Sequence, residues 1–135
     1  MSCDLGVWFP DRRLTDAEAE RRYARLCDGH VEGEVVDHPS VKAFYDELTS
    51  LHPEIDDVPE ERVGDHEFSP WSCAIDRSDG HVIVSCVWPR ANHVTELVQR
   101  LAKKHGLAFY DPQSARISYG DEAEAPRKKA WWNPF

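Results

Sequence analysis

The stretch that decides the fold covers residues 71–88 and reads WSCAIDRSDGHVIVSCVW. Apolar side chains stand at alternate positions before and after Ser78-Asp79-Gly80, and this period of two is typical of β-strands. Aspartate followed by glycine adopts the backbone angles of a tight turn at little cost, so the stretch predicts a β-hairpin. Ile83 and Val87 make the other face of the second strand partly apolar as well, and we therefore expect this strand to lie inside the sheet.

Three segments outside the hairpin have the sequence signals of helices. Thr15 and Glu18 form a capping box, which predicts a helix that runs to about Cys27. Ser40 is the predicted N-cap of a second helix, which Pro53 ends because proline cannot continue the backbone hydrogen bonding. The third helix is predicted from its apolar stripe, formed by Val94, Leu97, Val98, Leu101 and Ala102.

Three further short segments favour strands, at residues 3–9, 107–110 and 116–119. The resulting order of elements is β-α-α-β-β-α-β-β. Helices interleaved with a hairpin in this way are typical of an α+β fold, with some similarity to a ferredoxin-like layout. We expect an antiparallel or mixed sheet of about four to five strands, with three helices mainly on one face. Residues 1–119 form this single domain, and residues 120–135 form a C-terminal tail.

The charge balance bears on the class of partner. Lysine and arginine number 16 against 25 aspartates and glutamates, and the formal net charge is −9. General nucleic-acid binders carry the opposite sign, so we expect no nucleic acid. A charged partner of this chain is instead expected to be a basic protein.

The compartment is predicted from the same sequence. The N-terminal residues MSCD lack the basic and apolar regions of a signal peptide, and no stretch approaches the about 18 consecutive apolar residues of a membrane span. We therefore expect a cytoplasmic protein without membrane contact. The four cysteines form no CxxC pair, which favours buried, reduced thiols at Cys3, Cys27, Cys73 and Cys86.

Residues 54–67, the acidic segment, carry seven carboxylates against the single cation Arg62, which leaves a net charge of −6. By default, such a charged run with Pro59 and Gly64 inside it is a solvated loop. The alternative is a surface for a cationic protein, since opposite charges speed encounter and fix the register of a complex. The predicted partner contacts are Glu54, Asp56, Asp57, Glu60, Glu61, Asp65 and Glu67, together with the neighbouring Trp71.

An enzyme needs a nucleophile, a base or a metal set, and the chain has no glycine-rich phosphate loop, nucleophile elbow or zinc-helix motif. No catalytic residue, metal ligand or cofactor is therefore predicted. His81 and Cys86 lie five positions apart on one strand and point to opposite faces, so we interpret them as a solvated hairpin residue and a core thiol. The alternative is a small enzyme of unknown reaction, with a pocket near Trp71, Asp76, His81 and Trp88.

The tryptophans fall into two groups. Those in predicted strands, Trp8, Trp71 and Trp88, are interpreted as core or sheet-face residues. In the tail, Trp131, Trp132 and Phe135 follow the cations of residues 127–129, and their apolar surface is costly to leave in water. We expect the tail to dock on its own domain, on a partner or on a second copy. A structural domain that oligomerises through this tail is a further hypothesis, and the sequence leaves monomer and homodimer open.

Several stretches carry a resemblance to a known group of proteins. They are CDLGVW at residues 3–8, PEIDD at 53–57, SPWSC at 69–73, GHVIVS at 80–85, HGL at 105–107 and YDPQ at 110–113. Together they resemble a family of small uncharacterised bacterial proteins, similar to immunity-like proteins encoded near polymorphic toxins. The resemblance covers about residues 1–119 and implies an intracellular bacterial binding protein. It carries over no functional residue.

The charge, the clustered acids and the missing catalytic motifs together favour an acidic binding protein. Toxins that cut or modify nucleic acids have basic active-site clefts, so an inhibitor that fills such a cleft is expected to be acidic. The sequence therefore predicts an immunity protein that neutralises a cognate bacterial toxin by blocking its active site through the acidic segment.

Overall fold

A five-stranded antiparallel sheet runs through the middle of the protein in a computed structural model that describes residues 2–119. The strands are β1 (Ser2–Trp8), β2 (Asp76–Arg77), β3 (His81–Val87), β4 (Ala108–Asp111) and β5 (Arg116–Ser118). The helices are α1 (Asp16–Cys27), α2 (Pro39–Leu51) and α3 (Ala91–Lys104). The predicted α+β class and the predicted order of elements are confirmed.

The order of strands across the sheet is β2-β3-β1-β4-β5. β3 and β4 both pair antiparallel with β1, so they run parallel to each other on either side of it, and α3 connects them. β1 and β2 flank β3 in the same manner, with α1 and α2 in their connection. Two interlocked split β-α-β units of this kind are the ferredoxin-like arrangement, to which β5 adds one edge strand.

Helices cover both faces of the sheet. α2 and α3 pack on the face that carries Leu5, Val84 and Phe109, whereas α1 packs on the face that carries Trp8 and Ile83. The prediction of three helices mainly on one face therefore holds for two of them. The central strands β1 and β3 have large apolar side chains on both faces, so the second face also has to be covered.

The hairpin turn is confirmed, but its first strand is shorter than the alternation predicts. Only Asp76–Arg77 pairs as β2 with β3, and Trp71 meets Cys86 in a single isolated bridge. The backbone leaves the sheet between these two contacts, and Cys73 is exposed as a result.

The predicted burial of the cysteines is correct for Cys3 and Cys86 and wrong for Cys27 and Cys73. On α1 the buried residues are Ala19, Arg22 and Leu26, so the buried stripe is rotated away from Cys27. The reason is Arg22, whose guanidinium lies 5.5 Å from the centre of the Trp8 ring and pairs with a carboxylate of the preceding loop.

Two helix ends are set by capping interactions. Thr15 and Glu18 form the predicted capping box at the start of α1, with both hydrogen bonds present. α2 begins earlier than predicted, because Nδ1 of His38 accepts the Ser40 N–H at 3.1 Å and replaces Ser40 as the N-cap.

No helix within residues 2–119 has the length and the apolar character needed to cross a membrane. The tail residues Trp131, Trp132 and Phe135 lie outside the described residues, and their docking stays a prediction.

Candidate functional site

The acidic segment is a loop whose two ends are held together. The hydroxyl of Ser69 donates to the carbonyl of Pro53 at 2.9 Å, and the indole Nε1 of Trp71 donates to the carbonyl of His52 at 3.0 Å. Nδ1 of His52 lies 3.0 Å from the carbonyl oxygen of Phe68. The residues before and after the segment are therefore joined directly, so both ends of the loop are held by contacts within the protein.

Glu54 anchors the first end of the segment. One oxygen of its carboxylate accepts the Tyr45 hydroxyl at 2.6 Å, and the other accepts the Ile75 N–H at 2.9 Å. Burial, together with this carboxylate, raises the pKa of Tyr45 to about 12. Glu54 therefore ties the segment to α2 and to the residue directly before β2, and its charge is engaged inside the protein.

Asp65 makes local contacts near the second end of the segment, all of them with residues 62–68. Its carboxylate binds Arg62 at 2.9 Å and accepts the backbone N–H groups of Glu67 and Phe68. The hydrogen bond from Arg62 is the main reason that the pKa of Asp65 is lowered. The Arg62 guanidinium also lies 4.2 Å from the centre of the Phe68 ring. Asp65 and the single cation of the segment thus neutralise each other.

The other carboxylates of the acidic segment point to solvent. Two short 3₁₀ turns, Ile55–Asp57 and Glu60–Arg62, carry most of them. Within residues 2–119 they make no ion pair with an arginine or lysine of the chain, and we call them the free carboxylates. They are Asp56, Asp57, Glu60, Glu61 and Glu67.

A shallow depression of about 90 Å³ lies between the two turns and the body of the protein. Ile55, Val58 and Val63 form its apolar walls, and we call it the apolar notch. Val63 is 73% exposed, which is unusual for an aliphatic side chain. Arg62 and Asp65, which pair with each other, also line the notch, and four of the free carboxylates, Asp56, Asp57, Glu60 and Glu61, stand on the turns that adjoin it.

Trp71 lies beneath the acidic segment. Its side chain is 2% exposed and lines the floor of the notch, because the backbone on either side of it pairs with β3. The prediction that Trp71 faces a partner is corrected accordingly: the ring supports the segment from below.

The residues of the alternative enzyme pocket do not come together at one place. Trp71 pairs with Cys86 in an isolated β-bridge. Cys86 lies five residues along β3 from His81, so Trp71 and His81 are separated by about 16 Å. Trp88 follows the end of β3 and is 50% exposed, contrary to its expected place in the sheet. Trp88 is the first residue of the 3₁₀ turn Trp88–Arg90, which Pro89 favours and which carries the ring away from the strand.

The interpretation of His81 as a solvated residue is wrong, since its side chain is fully buried. Its Nδ1 lies 2.6 Å from the Ser78 hydroxyl, which also accepts the Gly80 N–H, and its Nε2 lies 3.6 Å from a carboxylate oxygen of Asp76. Burial lowers the pKa of His81, so its ring is neutral at pH 7. The hydrogen bonds among Ser78, Gly80 and His81 close the hairpin turn, and they already engage the hydroxyl oxygen of Ser78.

One histidine pair had no signal in the sequence. Nε2 of His52, at the end of α2, lies 3.0 Å from Nε2 of His93 on α3. The carbonyl at Nδ1 of His52 requires a hydrogen on that nitrogen, so His52 accepts and His93 donates. Burial, followed by the charge of Arg90, lowers the pKa of His93. The pair joins the end of α2 to α3. Within residues 2–119 no three histidine, cysteine, aspartate or glutamate side chains are grouped to hold a metal.

No protein family, curated protein or solved structure matches the chain. The protein is an α+β protein with a negatively charged loop whose ends are held by internal hydrogen bonds.

Proposed function

We propose that this protein is an acidic intracellular binding protein of the immunity class, which neutralises a cognate bacterial toxin by blocking the toxin's active site. The partner is a basic protein domain, and the acidic segment is the surface that meets it. The observation that supports this proposal is the set of free carboxylates, which have no ion pair within residues 2–119 and stand on a loop held at both ends.

Charge favours a role in encounter. Several carboxylates on two adjacent turns create a local negative potential that attracts a cationic surface before contact, and such steering raises association rates by about 10-fold to 1,000-fold. Because the free carboxylates have no cation of residues 2–119 to give up, their charge is available to the partner from the start.

The braced loop favours tight binding. A mobile loop loses conformational entropy when it binds, at about 0.5 to 1.5 kcal/mol for each long side chain that becomes ordered. The hydrogen bonds of Glu54 and Asp65 order the backbone of the segment before any partner arrives, so less of this cost falls on the complex.

The apolar notch favours a particular contact. Lysine and arginine bury an aliphatic stem while they keep the charged head in a polar environment. The walls formed by Ile55 and Val63 suit such a stem. Asp65 takes up the charge of Arg62 in the lining, and the free carboxylates on the adjoining turns suit the head. We therefore expect an arginine or lysine of the toxin's active site to occupy the notch.

The test begins with the protein encoded immediately upstream of this protein's gene, which the proposal expects to carry a toxin domain. The two purified proteins are expected to co-elute from a sizing column, and the toxin's activity is expected to disappear at a molar equivalent of the inhibitor. Failure of both would refute the immunity function.

The surface is tested by the variant Asp56→Asn, Asp57→Asn, Glu60→Gln and Glu61→Gln. At low salt we expect its association rate with the toxin to fall about tenfold, and the difference to shrink at about 0.5 M salt, where charges are screened within a few ångströms. The matched control neutralises four other exposed acids, Glu20, Glu32, Asp37 and Glu96, and so changes the net charge equally. Equal losses in both variants would show that net charge alone matters and that the acidic segment is not the surface.

A further inference from the structure

A second charged site lies on the opposite face of the sheet, beside α1. A cleft of about 190 Å³ is lined by Arg12, Leu14, Glu18, Arg21, Arg22, Arg25 and Glu34, and we call it the arginine cleft. Four cations against two carboxylates give its lining a formal charge of +2, in a chain whose net charge is −9. The lining of the cleft is thus positively charged, whereas the chain as a whole is negatively charged.

The carboxylates of the cleft are already engaged. Glu18 accepts the backbone N–H of Thr15 in the capping box, and this hydrogen bond is the main reason that its pKa is lowered. Glu34 pairs with Arg25. Within residues 2–119, Arg12 and Arg21 make no ion pair at contact distance, but the charge of each helps to lower the pKa of Glu18, so the two arginines and Glu18 together leave an excess of one positive charge.

Arg22 is the fixed element of the site. Its side chain is 6% exposed, and its Nη1 donates to Asp11 at 3.0 Å, while the guanidinium lies 5.5 Å from the centre of the Trp8 ring. A guanidinium has five N–H donors in a rigid plane, and within residues 2–119 Asp11 is its only hydrogen-bond partner. The group is therefore held in one orientation with donors to spare.

Like and unlike charges stand side by side on this part of α1. Arg21 lies four positions before Arg25, and Glu18 lies three positions before Arg21. Arg22 and Arg25 are ion-paired with Asp11 and Glu34, so Arg21 is the helix cation whose charge an anion would meet first.

We propose that the arginine cleft binds a small molecule that carries a phosphate group. Planar guanidinium groups match phosphate oxygens through paired hydrogen bonds, which makes arginine the preferred cation for this chemistry. The cleft is smaller than the roughly 300 to 1,000 Å³ of sites for larger organic ligands, so it suits a phosphate with only a few attached atoms. The site lies apart from the acidic segment and has the opposite charge, so this inference does not depend on the proposed function.

The experiment titrates the full chain with inorganic phosphate and with glycerol 3-phosphate at constant ionic strength, and follows the Nε–H resonance of Arg22 by NMR. We expect a saturable change with a dissociation constant below about 1 mM for at least one of the two. Saturation by both would identify phosphate itself as the recognised group, and saturation by glycerol 3-phosphate alone would show that the attached carbons contribute. A shift that never saturates with either would reflect screening and would overturn the proposal.

Variants separate a site from general charge. Arg12→Gln and Arg21→Gln change exposed side chains of the cleft, and each is expected to weaken binding about fivefold to tenfold. Arg100→Gln removes an exposed arginine of α3 and is expected to leave the affinity within twofold. Equal weakening by all three would overturn the proposal.

A last variant tests a competing anion within the chain. Tyr119 contacts the cleft region, because its hydroxyl accepts the Leu14 N–H at 2.8 Å, and Asp121, Glu122 and Glu124 follow it in the sequence. The variant Asp121→Asn, Glu122→Gln and Glu124→Gln is expected to bind phosphate at least as well as the wild type. Binding confined to this variant would assign the cleft to the chain's own carboxylates and would overturn the proposal.

Discussion

Replacement of Glu54 by alanine will destabilise the fold, although the residue belongs to a loop that the sequence describes as a run of solvated charge. The carboxylate accepts two hydrogen bonds, from the Tyr45 hydroxyl at 2.6 Å and from the Ile75 N–H at 2.9 Å. Removal of the acceptor leaves both donors without a partner in the protein. Ile75 is buried, so water can replace the lost partner there only in part.

The size of the effect can be worked out from these contacts. A hydrogen bond to a charged group contributes about 1.5 to 3 kcal/mol, and a buried donor left unpaired costs about 1 to 3 kcal/mol. Glu54 and Tyr45 are half-buried, so we expect a total loss of about 2 kcal/mol, which corresponds to a fall in melting temperature of roughly 8 °C for a domain of this length. Glu54→Gln keeps one acceptor and should lose about half as much.

The assay is thermal and urea denaturation followed by circular dichroism, with Glu60→Ala as the matched control. Glu60 belongs to the same segment and makes no ion pair within residues 2–119, so its removal should change the free energy of unfolding by less than about 0.5 kcal/mol. If Glu54→Ala and Glu60→Ala had equal effects, the division of the segment into anchoring and free carboxylates would be refuted.

Three other predictions concern the same region. Tyr45→Phe should reduce the stability lost between pH 10 and 12. The raised pKa of Tyr45 stabilises the fold below about pH 10, and this contribution disappears as pH rises through about 12. Urea titrations across this range measure the free energy of unfolding, and the same dependence on pH in variant and wild type would contradict the reasoning. Gly64→Ala should cost about 1 kcal/mol in a melting experiment, since Gly64 has a φ of 89° that side chains rarely adopt, and an unchanged melting temperature would contradict this. His93→Gln should reduce the stability lost between pH 7 and 5. The pKa of His93 is lowered in the folded state, so the fold loses stability as pH falls below about 6.5. An equal loss of stability in variant and wild type would exclude this contribution of His93.

Only part of the candidate site could be predicted from the sequence. The concentration of acids in residues 54–67 is visible in composition, and so is the loop character that Pro59 and Gly64 indicate. The separation of these acids into anchoring and free carboxylates is not visible in composition, because the partners of Glu54 lie 9 and 21 residues away in the sequence. The sequence does not indicate the arginine cleft for a similar reason. Acidic residues stand between its arginines in the sequence, and only the turns of α1 and the preceding loop bring the arginines together.

Local chemistry made the secondary structure of this protein predictable. The capping box of Thr15 and Glu18, the apolar stripe of α3 and the Asp79-Gly80 turn each act within a few residues, so their patterns are complete in the sequence. Strand order, the face that α1 covers and the burial of His81 and Trp71 were decided only in the tertiary structure. These features depend on contacts between distant segments, which compete for the same apolar surface, and that competition leaves no period in the sequence.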